Sequence, residues 1–76
     1  MKLLITGASG HLGCYLLQEA TRAGHAVTAW TGQTQGEFRD VTLQPVALTD
    51  KRQVVAAFQR ARPEAVIHTA ALARVA

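Results

Sequence analysis

Three glycines within eight residues constrain this chain more than any other feature. They lie in Thr6-Gly7-Ala8-Ser9-Gly10-His11-Leu12-Gly13, directly after the apolar run Leu3-Leu4-Ile5 and at the start of a segment with helical periodicity. Glycines so spaced between a strand and a helix let backbone come close to something bulky and charged. Gly7 suits a tight turn at the strand end, and Gly10 removes a Cβ where a phosphate would sit. Gly13, one turn into the helix, lets the helix lie close to the sheet. The free N–H groups and positive dipole end of that helix would face the anion.

The usual dinucleotide fingerprint is G-x-G-x-x-G. Here the spacing is G-x-x-G-x-x-G preceded by Thr, and the required strand–turn–helix context is present. The plainer alternative is a glycine-rich turn that only joins a strand to a helix.

The rest of the chain reads as alternating strands and helices. Lys2 to Thr6 is a strand apolar on both faces, as a central parallel strand should be. His11 to Ala23 is a helix with Leu12, Leu16, Ala20 and Ala23 on its inner stripe and Leu17 beside it. Gly24 ends it in the left-handed conformation. Ala26 to Trp30 is a second strand, and Thr31 to Asp40, with no apolar period, is an exposed loop. Val41 to Ala47 is a third strand, interrupted by Pro45. Asp50 caps a second helix, Lys51 to Ala61, whose inner stripe is Val54, Val55, Phe58 and Ala61, and Pro63 follows its end. Ala65 to His68 is a fourth strand, and Ala70 to Ala76 begins a further helix. With right-handed crossovers, this pattern predicts an α/β, doubly wound fold: a parallel sheet of four strands in order 3-2-1-4 with one helix on each face. Its ligand crevice lies at the C-terminal ends of the first and fourth strands, where the glycine stretch and His68 to Ala71 converge.

At 76 residues the chain makes at most one small domain, and one helix per face leaves four strands poorly covered. Residues 1–76 are therefore expected to be an incomplete part of a longer protein. Alone they are expected to self-associate through the open fourth strand or the bare sheet faces. The hydrophobic fraction of 49% excludes a disordered segment, and no apolar run is long enough to cross a membrane. Met1-Lys2 leads straight into a strand, so no secretory signal is expected, and the single cysteine, Cys14, is expected to fit a reducing cytoplasm. A net charge of +3 is spread over scattered Lys and Arg residues with only 5% aromatics, which is not a nucleic-acid footprint. Three dispersed histidines and one cysteine offer no metal spacing.

Thr6-Gly7-Ala8-Ser9-Gly10-His11-Leu12-Gly13 resembles the T-G-x-x-G-x-x-G signature of the extended short-chain dehydrogenase/reductase family, which has an NAD(P)-binding Rossmann fold. Gly24 to Trp30 looks like that family's helix end and second strand. Val66-Ile67-His68-Thr69-Ala70-Ala71 looks like its fourth strand, ending in an H/N-x-A-A/G motif. Arg62 to Ala71 most resembles the dTDP-4-dehydrorhamnose reductase branch and its sugar-nucleotide-modifying relatives. The resemblance covers the whole chain, but the chain corresponds only to the N-terminal part of such a protein.

The resemblance implies a dinucleotide held by Gly7, Ser9, Gly10, His11, Leu12 and Gly13, with His11 a neutral loop residue at the helix start. The acid that marks NAD preference belongs at the end of the second strand, and the residue there is Thr31. The missing carboxylate favours NADP over NAD, and Arg39 is the nearest cation in the following loop. In the family an Asp after the third strand contacts adenine. Ala47 replaces it here, leaving Leu48 to offer backbone and an apolar edge, while Asp50 serves as a helix cap. His68, Ala70 and Ala71 line the cofactor, through backbone and small size rather than as a base. Trp30 either flanks the adenine or packs in the core.

The family's proton donor is a Tyr four residues before a Lys. The only tyrosine is Tyr15, and Glu19 stands four residues on, so no catalytic set is present in this chain. The leading expectation is the NAD(P)-binding segment of a reductase acting on a nucleotide-linked sugar, whose substrate would be held by parts beyond these residues. A sugar-nucleotide epimerase or dehydratase with tightly held NAD is the enzymatic alternative. A non-catalytic NADP-binding regulator on the same fold is the other.

Overall fold

A computed structural model describes residues 1–38 and 40–69 of the chain. In order they form β1 (Lys2–Thr6), α1 (His11–Arg22), β2 (Ala26–Thr31), β3 (Gly36–Phe38), β4 (Val41–Pro45), α2 (Lys51–Ala61) and β5 (Ala65–His68). The expected helix from Ala70 to Ala76 lies outside the described residues.

The strands make one sheet in the order β3-β4-β2-β1-β5. β1 pairs in parallel with β2 and β5, and β2 pairs in parallel with β4. β3 runs antiparallel to β4, with Phe38 opposite Val41 and Gly36 opposite Leu43. The four-stranded, all-parallel 3-2-1-4 sheet expected from the sequence is therefore wrong: the sheet has five strands and is mixed. The error lies in the stretch read as a loop. Asp40 adopts a left-handed backbone with φ 67, which closes a two-residue connection and folds Gly36–Phe38 back onto β4.

Each helix covers one face of the sheet. Adjacent residues of β1 point to opposite sides, so Leu4 joins Trp30, Val46 and Ala57 beneath α2, while Ile5 joins Ala8, Leu17 and Ala29 beneath α1. Burying a side chain such as Leu4 or Ile5 contributes ~1.5–3 kcal/mol. Phe38, Val41 and Leu43 extend the α1-side cluster across the hairpin.

The buried faces of the helices differ from the expected stripes. In α1 the buried positions are Gly13 and Leu17, flanked by Leu16 and Ala20, while Leu12 is 47% exposed. In α2 the contact is made by Ala57 with Val54 beside it, while Val55 and Phe58 are exposed. Small residues let a helix axis approach a sheet, so Gly13 and Ala57 set the seating and the larger apolar residues fall to the flanks.

Both helix ends follow local chemistry. Asp50 Oδ1 accepts from the backbone N–H groups of Arg52 and Gln53 at the start of α2. α1 gives way to Gly24 at φ 89, and α2 ends on Arg62 in the left-handed region before Pro63. Among the described residues no helix is long and apolar enough to cross a membrane.

Candidate functional site

The C-terminal ends of β1, β2 and β4 meet around the glycine loop. Gly7 leaves β1 with φ 66, a conformation that disfavours any residue with a Cβ. The loop is then pinned from below: Ala8 N–H donates to the Trp30 carbonyl at 3.0 Å, and Gly10 N–H donates to the Gly7 carbonyl at 3.1 Å. Cys14 adds a thiol bond to the Ala8 carbonyl at 3.2 Å. A Cβ on Gly13 would overlap the Gly7 carbonyl oxygen and lie 2.8 Å from Ala8 Cα, so only glycine lets α1 rest on this turn.

Gly10 is the N-cap of α1, and no side chain caps the helix. The first N–H groups of an α-helix have no partner within the helix, so those of His11, Leu12 and Gly13 point out of its start. No acidic residue stands in the first turn to occupy that positive end. Ser9, Gly10, His11 and Leu12 are all exposed, leaving the loop open above.

Beside the loop lies a cavity of about 230 Å³. It is lined by the β1 end (Thr6, Gly7), the β2 end (Trp30, Thr31, Gly32) and the stretch after β4 (Val46, Ala47, Leu48), and none of these residues is charged. Pockets for drug-sized ligands span roughly 300–1,000 Å³, so this one suits a single aromatic base. Trp30 packs in the core beneath α2 and also walls the cavity.

Thr31 stands at the end of β2, where its hydroxyl donates to the Thr34 carbonyl and its own carbonyl accepts from Val46 N–H at 2.9 Å. It is 2% exposed and ties the loop to the sheet. Gly32 follows it at the rim. Arg39 lies outside the described residues. On the opposite wall the turn from Ala47 to Asp50 is closed by Asp50 N–H donating to the Ala47 carbonyl at 3.0 Å. Gln53 completes it: its Oε1 accepts from Ala47 N–H at 3.3 Å, and its Nε2 donates to Asp50 Oδ2 at 3.2 Å. Gln53 escaped the sequence reading although the Asp50-Lys51-Arg52-Gln53 pattern carries a capping-box signal.

The third part is the junction of β1 and β5. His68 Nδ1 lies 2.7 Å from Thr6 Oγ1, and Thr69 N–H donates to the same oxygen at 3.2 Å. The Thr69 hydroxyl donates to the Thr6 carbonyl, with the Gly7 carbonyl 3.3 Å away. Thr6 and Thr69 thus lock β5 to the root of the glycine loop, a role that no local sequence signal announced. Ala70 and Ala71 lie outside the described residues.

A family model for the NAD dependent epimerase/dehydratase family matches residues 3–76. The chain belongs to that family. It is an NAD(P)-binding Rossmann-fold domain.

Among solved structures it is similar to the UDP-glucose 4-epimerase of Thermus thermophilus in complex with NAD. That likeness has a TM-score of 0.82 and 30% identity, covering 92% of this chain and 24% of the other. It is also similar to the GalE-like L-threonine dehydrogenase from Cupriavidus necator in its holo form, with a TM-score of 0.77 and 28% identity over 92% of this chain and 23% of the other. The chain therefore spans about a quarter of the length of these structures. No curated protein sequence matches it. These relationships are to the epimerase/dehydratase family at large and do not single out the dTDP-4-dehydrorhamnose reductase branch.

The residues present fit a dinucleotide. The uncapped start of α1 beside Gly10 leaves room and free N–H groups for a diphosphate, and the uncharged cavity beside Trp30 has the size of a base.

Proposed function

We propose that this chain is the dinucleotide-binding segment of an NAD-dependent enzyme that acts on a sugar nucleotide, of the epimerase or dehydratase kind. The observation that carries the reading is the start of α1: an open, uncapped helix end seated by glycine on the β1 turn, with a base-sized cavity next to it. Adenine would occupy the cavity beside Trp30, with Leu48 offering its backbone. The diphosphate would lie on Gly7 to Gly13, and His68, Ala70 and Ala71 would line the path beyond. A bound nicotinamide supplies hydride exchange with a sugar carbon. The residues of this chain bind and orient: its single tyrosine, Tyr15, is 61% exposed on α1 and has no lysine four residues on.

A second reading rests on Thr31. An uncharged cavity without the ribose-binding carboxylate does not repel a 2′-phosphate, which favours NADP and, with it, keto-sugar reduction like that of dTDP-4-dehydrorhamnose reductase.

Calorimetric titration of the folded chain with NAD, NADP, 5′-AMP and inorganic phosphate tests the proposal. Binding of NAD or NADP more tightly than 5′-AMP is the expected result. Absence of dinucleotide binding in chain shown to be folded by circular dichroism would overturn it.

A further inference from the structure

We infer that the solvent face of α2 is a docking surface for an acidic amphipathic helix of a partner protein. This face lies opposite the side of α2 that packs on the sheet through Val54 and Ala57, and it stands independently of the dinucleotide reading.

The charges on α2 are not explained by the fold. Lys51–Ala61 contains the cations Lys51, Arg52 and Arg60 and no acid, and Arg62 follows at the C-cap. Lys51 and Arg52 stand in the first turn, where the positive end of the helix dipole disfavours cations. Among the described residues the side chains of Lys51, Arg52 and Arg60 have no ion-pair or hydrogen-bond partner. The acids of the chain are placed elsewhere. Glu19 pairs with Arg22, Asp50 holds backbone N–H groups at the start of α2, and Glu64 accepts from Lys2 N–H. Glu37 and Asp40 belong to the β3–β4 hairpin and pair with none of these cations.

The shape of the face selects a helix. Lys51, Val55 and Gln59 form one row at four-residue spacing, and Arg52, Ala56 and Arg60 form the next. Between the rows lies a depression of about 340 Å³, lined by Lys51, Arg52, Val55, Ala56 and Gln59. All five are exposed, Val55 at 46%, and the small Ala56 leaves the middle of the groove open. Rows and grooves of this spacing are what a second helix packs into. A matching ridge has an apolar side chain over Val55 and Ala56, with carboxylates towards Lys51 and Arg52 at one end and Arg60 at the other. A second copy of α2 would set cations against cations. Nucleic acid is held by cations interleaved with stacking aromatics, and no aromatic residue lines the groove. A bilayer takes protruding apolar side chains, whereas here the apolar centre is a depression between cations. One face of a three-turn helix is a small interface, so the contact is weak and sensitive to salt.

Fluorescence anisotropy of labelled synthetic helices titrated with the folded 76-residue chain tests the inference. One helix carries a Leu and Ala ridge flanked by Glu, and its control has Lys in place of each Glu. The Glu helix is expected to bind, the Lys helix is not, and added salt should weaken the binding. Arg52→Ala should weaken it about fivefold, the upper end for an exposed ion pair. Arg22→Ala, which removes the same charge from α1, should leave it unchanged. Ala56→Gln, an exposed change to another good helix former that fills the groove, should weaken binding by a similar factor with an unaltered circular dichroism spectrum. No binding of the Glu helix, equal binding of the Glu and Lys helices, equal losses in Arg52→Ala and Arg22→Ala, or binding of phosphatidylserine vesicles in preference to the Glu helix overturns the inference.

Discussion

Gly13 rests on Gly7 so closely that a Cβ on Gly13 would overlap the Gly7 carbonyl oxygen and lie 2.8 Å from its carbonyl carbon. Gly10 differs: a Cβ there would sit 3.4 Å from the same oxygen, an ordinary contact. The two glycines therefore separate folding from binding. Gly13→Ala must push α1 off the β1 turn, and overpacking of this kind costs ~1–3 kcal/mol or more. Gly10→Ala should unfold in urea close to the parent, yet lose most of its affinity for ADP, because the new methyl enters the diphosphate cradle. Urea denaturation and ADP titration of both variants check this. Equal stability of Gly13→Ala and the parent would contradict the seating of α1 described here.

The second helix depends on one carboxylate. Asp50 accepts from two backbone N–H groups and from Gln53 Nε2, and Gln53 in turn holds Ala47 N–H on the cavity wall. Loss of an N-cap costs ~1 kcal/mol, and Asp50→Ala is expected to show about that in denaturant unfolding. Because Asp50 and Gln53 share a bond, Asp50→Ala and Gln53→Ala should be less than additive in the double variant. Strict additivity would mean that the side chains act independently.

The glycine spacing, the Asp50 cap and the strand ends were legible because each is written in adjacent residues. β3 was not. A two-residue hairpin is normally signalled by Asn-Gly or Asp-Gly, whose residues reach positive φ easily. Here positions 39 and 40 are Arg-Asp, and Asp40 takes the left-handed conformation without a glycine to mark it. Periodicity placed the apolar arcs of both helices but not the part that touches the sheet, because small residues, Gly13 and Ala57, decide how a helix sits. The contacts of Thr6 with His68 and Thr69 join residues 62 and 63 positions apart, and they exist only through the β1–β5 register.

Among the described residues β5 pairs only with β1, and apolar side chains are exposed on β5 and on both helices: Val66 at 48%, Phe58 of α2 at 44% and Leu12 of α1 at 47%. Unpaired strand edges beside apolar surface favour association. The 76-residue chain is expected to self-associate in sedimentation equilibrium at micromolar concentration, and Val66→Lys should shift it towards monomer. A monomer across that range would show that this surface is tolerated by the isolated chain.

Cofactor preference can be read at Gly32. This residue borders the cavity, its backbone does not need glycine, and a Cβ added there would meet no atom within 4 Å. A carboxylate can thus be introduced at the rim without disturbing the Thr31–Thr34 bond that holds the loop. Trp30, the single tryptophan, lines the same cavity and reports occupancy through its fluorescence. On the NADP reading the unaltered chain would bind 2′,5′-ADP at least as tightly as 5′-AMP, since no acid lines the cavity to repel the second phosphate, whereas on the NAD reading it prefers 5′-AMP. Gly32→Asp should weaken 2′,5′-ADP about fivefold relative to 5′-AMP, which corresponds to the ~1 kcal/mol between like unit charges about 4 Å apart in water. A parent chain that prefers 5′-AMP would support the NAD reading and overturn the NADP one. A Gly32→Asp variant with an unchanged ratio would place the ribose away from this rim.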